Sequence, residues 1–445
     1  MGLEEGILRL SHVPEKANSY QSSFGWVDFS SEHRNRVKTV LDLLSTPGVI
    51  DELGVGIVRD AFADYLFPGL STIQTRAKYF LIVPRILKDY EQLLDRQRRR
   101  ISLEDYLSEK EKQVRIRLVE KYGKRERLGI IGVSFGTRSD REVLRQPSSI
   151  YWAGLRAFGI LKTKLSLAEF ARNHSGHRPT PMMLLEETRE ERGDDIDADD
   201  IALSPITPLP PADDWMTRLT ITLSKPEAEF LCRMITDAKP VSLLGQILMS
   251  EGSLHEFLNL HQSSSFSDMA ELPFIGKLAD LRLRRVVRLA RLFWDILLGA
   301  HVRYNCLLQE RFGETARKKM VLAEWAEWRD RMESFAWEEW DTAELWELVV
   351  ANRSDIRPHT MRFVEEWISE AKRRPSSTAG FDQLVTRQER ANKRARARLR
   401  PDNRDEQVSE WIGIRTLNYR LPQARRIVED VHRAMTGKTD ANAGF

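Results

Sequence analysis

Apolar residues recur at intervals of three and four along most of this chain, a period that packed helices satisfy and strands do not. Val37, Val40, Leu41 and Leu44 share one face of a helix predicted over residues 33–44, with Ser30 and Ser31 placed to cap it and Thr46-Pro47-Gly48 to end it. A second helix is expected over 57–66, closed by Pro68-Gly69. A third, capped by Ser71, should reach at least Val83, with Pro84 a kink or break. Residues 102–122 read as an amphipathic helix with paired charges, and shorter helices follow over 148–161 and 167–172. In the second half the same period predicts helices over 225–235, 274–312, within 314–350, and over 358–372, 381–399 and 423–435. Two stretches break the pattern. LGIIGV at 128–133 reads as a strand or tight connection, and the alternating LTITL at 219–223 reads as a strand. The expected fold class is mainly α: multi-helical, in two helical domains with a few short strands. No fixed period is present that would indicate a solenoid.

At 445 residues the chain exceeds what one hydrophobic core usually serves, and 41% apolar against 30% charged residues is the composition of packed globules rather than disorder. The division is placed at 182–215, where eleven acidic residues stand against Arg189 and Arg192, and Pro205, Pro208, Pro210 and Pro211 follow. Such a segment orders itself poorly and reads as an acidic, Pro-rich linker or surface loop. It separates an N-terminal helical domain (1–181) from a C-terminal helical domain carrying basic helices (216–445). No run approaches the roughly 20 apolar residues of a membrane helix; AKYFLIVPRIL is interrupted by Lys78, Pro84 and Arg85. The start lacks a cationic segment followed by an apolar one, and Gly6 stands where a myristoyl signal has Ser or Thr, so no membrane association is expected. Cys232 and Cys306 are the only cysteines, which fits two buried thiols in a reducing cytoplasm.

The net charge of +3 says little, but its distribution is uneven. Between residues 273 and 291, Lys277, Arg282, Arg284, Arg285, Arg288 and Arg291 face only Asp280, and Arg284, Arg288 and Arg291 are spaced to share a helix face. A second row holds Arg387, Arg390, Lys393, Arg394, Arg396, Arg398 and Arg400 against Glu389. Guanidinium forks suit phosphate, and several such contacts give salt-sensitive binding to nucleic acid. Lys277, Arg284, Arg288, Arg291, Arg390, Arg394, Arg396 and Arg398 are therefore candidate contacts to DNA or another polyanion. The opposing reading is internal pairing, because Glu324, Glu327, Asp330, Glu333, Glu338, Glu339, Asp341, Glu344 and Glu347 lie between the rows. Trp325, Trp328, Trp337, Trp340 and Trp346 sit among these carboxylates, a setting for core packing or a protein contact rather than base stacking.

Chemistry finds less support. Arg59, Asp60, Asp64 and Arg76 read as a buried ion-pair network joining Arg76 to Asp60 or Asp64. The competing reading makes Asp60 and Asp64, one helical turn apart, a metal-holding pair. GIIGVSFG at 129–136 lacks the residues of either nucleotide-binding loop. His174 and His177 fall in a polar, Pro-rich setting, and His255 and His261 are six apart, off any shared helix face. No nucleophile–base set, metal site or cofactor is expected from these residues.

The phrases GWVDFS, DELGVGIVRDAFADYLFPGLSTIQTRAKYFLIVPRIL, QPSSIYWAGLRAFGIL and WIGIRTLNYRLPQARRIVEDV resemble a bacterial family catalogued as domain of unknown function 6361, over about residues 24–431. The resemblance implies a stand-alone cytoplasmic protein encoded near helicase-like and phospholipase-D-like genes in phage-defence regions, and it supplies no catalytic residues. The expected function is a non-enzymatic accessory subunit that binds DNA or a DNA-processing partner. A protein-interaction scaffold with internally paired charges is the alternative, and a metal-dependent nuclease at Asp60 and Asp64 the third reading.

Overall fold

A computed structural model describes residues 51–138, 143–174, 204–313, 315–353, 355–373, 377–403, 408 and 410–437. The helix expected over 33–44 and most of the acidic stretch lie outside these residues. The described chain is α-helical with no sheet: α1 Gly56–Leu66, α2 Tyr79–Glu91, α3 Asp95–Arg98, α4 Leu103–Tyr122, α5 Pro147–Ala157, α6 Leu167–His174, α7 Lys225–Ala238, α8 Leu243–Met249, α9 Glu251–Asn259, α10 Phe266–Ala270, α11 Pro273–Lys277, α12 Leu281–Phe312, α13 Thr315–Glu333, α14 Thr342–Asn352, α15 Pro358–Arg373, α16 Ala379–Lys393 and α17 Leu421–Thr436. None of these is long and apolar enough to cross a membrane.

Helix α2 begins at Tyr79, later than a Ser71 cap would set it, because residues 71–78 form turns pinned by a tyrosine. The Tyr151 hydroxyl accepts from the amides of Thr75 (2.9 Å) and Arg76 (3.0 Å) and donates to the Arg76 carbonyl (2.8 Å). The helix then runs through Pro84 instead of ending there. Proline in a helix interior costs about 3 kcal/mol. Nearly the whole circumference of α2 is buried, from Tyr79 to Leu87, and that burial offsets the loss.

The alternating 219–223 segment forms no strand: the chain bends at Ile221 and Thr222 and has no β-bridge. Leu219, Ile221 and Leu223 point into the core, while α4 supplies the polar contacts: Lys121 donates to the Leu219 carbonyl (3.0 Å) and Arg117 to that of Met216 (3.1 Å). Alternation thus reports half-burial against a helix. The LGIIGV stretch forms tight 3₁₀ turns at Glu126–Leu128 and Val133–Phe135. Strand-like pairing among the described residues is confined to the bridge between Leu161 and Ile206.

The 32-residue α12 is the axis of the second half, spanning about 48 Å at 1.5 Å per residue. It starts at Leu281 rather than continuing from Pro273 because the Asp280 carboxylate accepts the Leu283 amide (2.9 Å) and caps a new helix. Helix α13 folds back along α12, with Trp328 Nε1 donating to the Asp295 carbonyl (2.8 Å). Trp328 stacks on Trp325 (4.9 Å) and meets Trp367 of α15 (5.6 Å), which in turn packs on Phe381 of α16 (4.9 Å). Gly299 makes this close approach feasible: a Cβ there would stand 2.1 Å from the Trp328 ring. Buried apolar side chains run as one connected cluster from Leu53 to Val431.

Candidate functional site

The first basic row lies along the N-terminal half of α12, and carboxylates oppose most of it. Arg282 meets Glu347 (3.1 Å), Arg285 meets Glu344 (3.8 Å) and Arg288 meets Glu339 (3.7 Å). The arginine numbers rise as the glutamate numbers fall, so α14 and the turn before it run antiparallel to α12 as a charge ladder. Arg291 pairs with Glu271 (3.1 Å). Arg284 turns back to the Gly276 carbonyl (3.1 Å) at the end of α11, and Lys277 is exposed there. Arg284, Arg288 and Arg291 therefore share a helix but address three different partners.

The second row does not continue as a helix to 399. Helix α16 stops at Lys393, Arg394 takes φ 52° and ψ −120°, and the chain doubles back. The buried Glu389 carboxylate causes the reversal by accepting the amides of Arg398 (2.7 Å) and Leu399 (2.9 Å) and the Tyr304 hydroxyl (2.8 Å). Behind it, buried Glu52 holds Lys393 (3.2 Å) and Arg398 (3.6 Å). Burial raises the Glu52 carboxyl above its ordinary range against the pull of these two cations. Arg387 contacts Glu366, Arg390 donates to the Leu399 carbonyl (3.0 Å), and Arg400 contacts Asp402. Arg394 and Arg396 stay exposed, with no ion pair among the described residues.

Arg59, Asp60, Asp64 and Arg76 form separate pairs rather than the expected single network. Arg59 meets its neighbour Asp60 (2.9 Å) at the half-exposed edge of α1. Asp64 sits between Arg353 (2.5 Å) and Arg420 (2.6 Å) rather than pairing with Arg76. The Arg76 fork instead grips Asp430 of α17 through Nε and Nη2 (2.9 and 2.8 Å), and Ala77 donates its amide to the same carboxylate (2.9 Å). Among the described residues no group of three or more His, Cys, Asp and Glu is arranged to hold a metal ion.

Sequence reasoning missed the deepest charges. Glu227 at the start of α7 accepts both Lys78 Nζ (2.6 Å) and Arg85 Nη1 (2.6 Å). Burial pushes the Glu111 carboxyl up to about 8, where Ser148 donates its amide to it (2.5 Å). His301 is wholly buried with neither ring nitrogen partnered, and burial, then Arg59, lowers it to about 4. The pairing of Glu227 with Lys78 and of Glu111 with Ser148 is not visible locally, because these partners are 149 and 37 positions away. Perturbed groups often mark active sites when they line a cleft. These lie inside packed protein, and a cavity between α9 and the start of α17, lined by Phe257, Leu260, Leu421 and Arg425, measures only about 20 Å³, room for a water molecule.

The chain thus carries extended charge pairing and a single connected helical core. The sequence profile described as "Family of unknown function (DUF6361)" matches residues 21–435. The chain belongs to the DUF6361 family. The match runs from before α1 to the last turn of α17, so both arginine rows and their carboxylate partners fall within the family region. No curated protein and no solved structure matches the chain.

Proposed function

We propose that this DUF6361 protein is a non-enzymatic interaction module that works through protein contacts, its α12 arginines serving the fold more than an outside phosphate backbone. The observation that carries the reading is the ladder Arg282–Glu347, Arg285–Glu344, Arg288–Glu339. Cations already opposed by carboxylates at under 4 Å release few counterions from DNA and gain little by meeting it. At one end of the ladder Leu281 (61% exposed) precedes Arg282, and Val350 (55% exposed) follows Glu347 by one turn. Exposed apolar side chains rimmed by charge are the anatomy of a protein-contact face. The partner class implied by the family resemblance is a DNA-processing protein, helicase-like or phospholipase-D-like, in phage defence.

The reading is tested with the full chain. A tagged protein expressed in its native host should retain such a partner, and the double substitution Leu281→Asp, Val350→Asp should release it without lowering the melting temperature. Fluorescence anisotropy with duplex and single-stranded DNA supplies the opposing arm. A salt slope corresponding to about six or more phosphates between about 50 and 200 mM salt, flattened by Arg285→Gln and Arg288→Gln, overturns the proposal.

A further inference from the structure

Helices α15 and α16 form an antiparallel hairpin whose register is fixed by three contacts: Arg387 with Glu366, Phe381 with Trp367 (4.9 Å), and Gly380 against the Glu370 carboxylate. The same register sets the beginning of α15, at Arg357 and His359, beside the end of α16, at Lys393 to Arg396. Lys393 turns inward to Glu52. Arg357, Arg394 and Arg396 are exposed, and none has an ion pair among the described residues, in contrast to most arginines of the two rows. Asp355, also exposed, is the described acid closest in sequence to the group.

Two further observations converge there. His359 Nε2 is sealed from solvent and has no hydrogen-bond partner. Burial, then Arg357 and Arg394, holds this imidazole below its ordinary range, as expected where guanidiniums crowd together without a counter-charge. Arg394 also occupies backbone space that glycine enters freely and other residues enter under strain. Capture of the following amides by Glu389 explains the turn. It does not explain the side chain, since a glycine would make the same turn unstrained.

We propose that the exposed Arg357, Arg394 and Arg396, grouped about His359, form a binding site for a phosphate group, carried either by a free phosphate or nucleotide or by a nucleic-acid backbone. Two or three guanidinium forks can each give parallel hydrogen bonds to a tetrahedral oxyanion. The site is built on the ends of α15 and α16 rather than on the α12 ladder, and stands independently of the protein-contact reading.

Calorimetric titration of the full chain with inorganic phosphate, against chloride at matched ionic strength, is the first arm. Anisotropy with a short oligothymidylate, with and without a 5′-phosphate, is the second. Binding in either arm should weaken at least about tenfold in Arg357→Gln and in Arg394→Gln. Phosphate bound in the first arm identifies a free phosphate ligand; oligonucleotide bound regardless of its 5′ end, without inorganic phosphate, identifies the backbone. Arg394→Gly is the deciding variant: it should melt no lower than the parent, yet lose the anion. If phosphate acts as chloride does and neither oligonucleotide binds, or if Arg394→Gly binds as the parent does, the site is refuted. A nucleic-acid salt slope near one phosphate belongs to this site alone, which separates its outcome from that of the α12 ladder.

Discussion

Removing the Glu227 carboxylate should be among the most damaging single changes available to this fold. The group lies at the third position of α7 and is 4% exposed. It accepts Lys78 Nζ at 2.6 Å and Arg85 Nη1 at 2.6 Å, whose side chains are 6% and 7% exposed, and also the Ser224 amide at 2.7 Å. Glu227→Ala leaves two cations buried without a counter-charge, and breaking one buried pair this way costs about 3–5 kcal/mol. Loss of the cap contact adds about 1 kcal/mol. Arg85 Nη2 already lacks a partner, so no spare acceptor stands nearby to soften the change. The expected loss is about 4–6 kcal/mol, comparable with the whole stability of many domains. Glu227→Gln keeps the shape and the Ser224 contact and should lose less, about 2–4 kcal/mol.

The measurement is urea unfolding followed by circular dichroism, with the midpoint and slope fitted together. The pH dependence has a definite sign. Burial raises the Glu227 carboxyl, but Lys78, the Ser224 amide and Arg85 outweigh it and bring the group below its ordinary 4.5. A depressed acid contributes stability that is present above 4.5 and lost as pH falls through the folded value. The gap between parent and Glu227→Gln should therefore close under acid conditions. Replacing Lys78, Arg85 and Glu227 together by methionine should recover most of the loss. A Glu227→Ala protein within about 1 kcal/mol of the parent would refute the argument that these cations depend on this carboxylate.

Gly299→Ala places a methyl group 2.1–2.4 Å from three atoms of the Trp328 indole, and the resulting overpacking should cost about 1–3 kcal/mol net of the helix propensity gained. Near-ultraviolet circular dichroism should report the displaced Trp325–Trp328 stack; an unchanged spectrum and melting point would contradict the close packing. Glu111→Gln should behave oppositely to Glu227→Gln with pH. Because burial raises the Glu111 carboxyl to about 8, its contribution is complete below 4.5 and lost as pH rises through about 8, so the amide variant should gain on the parent in melting temperature toward alkaline pH. Parallel pH profiles for the two proteins would remove Glu111 as the cause.

The sequence by itself determined the helical class and most helix positions, because periodicity, caps and prolines act within a few residues. Ser102 caps α4 by accepting the Asp105 amide, Pro226 opens α7, and α15 and α17 fall where apolar spacing places them. It left the tryptophans to core packing or a protein contact; Trp325 and Trp328 are buried, while Trp337, Trp340 and Trp346 are half-buried. Tertiary structure alone decided where the charges go. Arg76 pairs with Asp430 across 354 positions, Lys78 with Glu227 across 149, and Asp64 with Arg420 across 356. A guanidinium carries the same local signature whether it faces a carboxylate or open water. Coulomb pairing depends on distance in space and on the local dielectric, and only the folded chain sets either one. The arginine rows were visible as rows; that α12 would be laddered by glutamates and the end of α16 left open was fixed by how the helices pack.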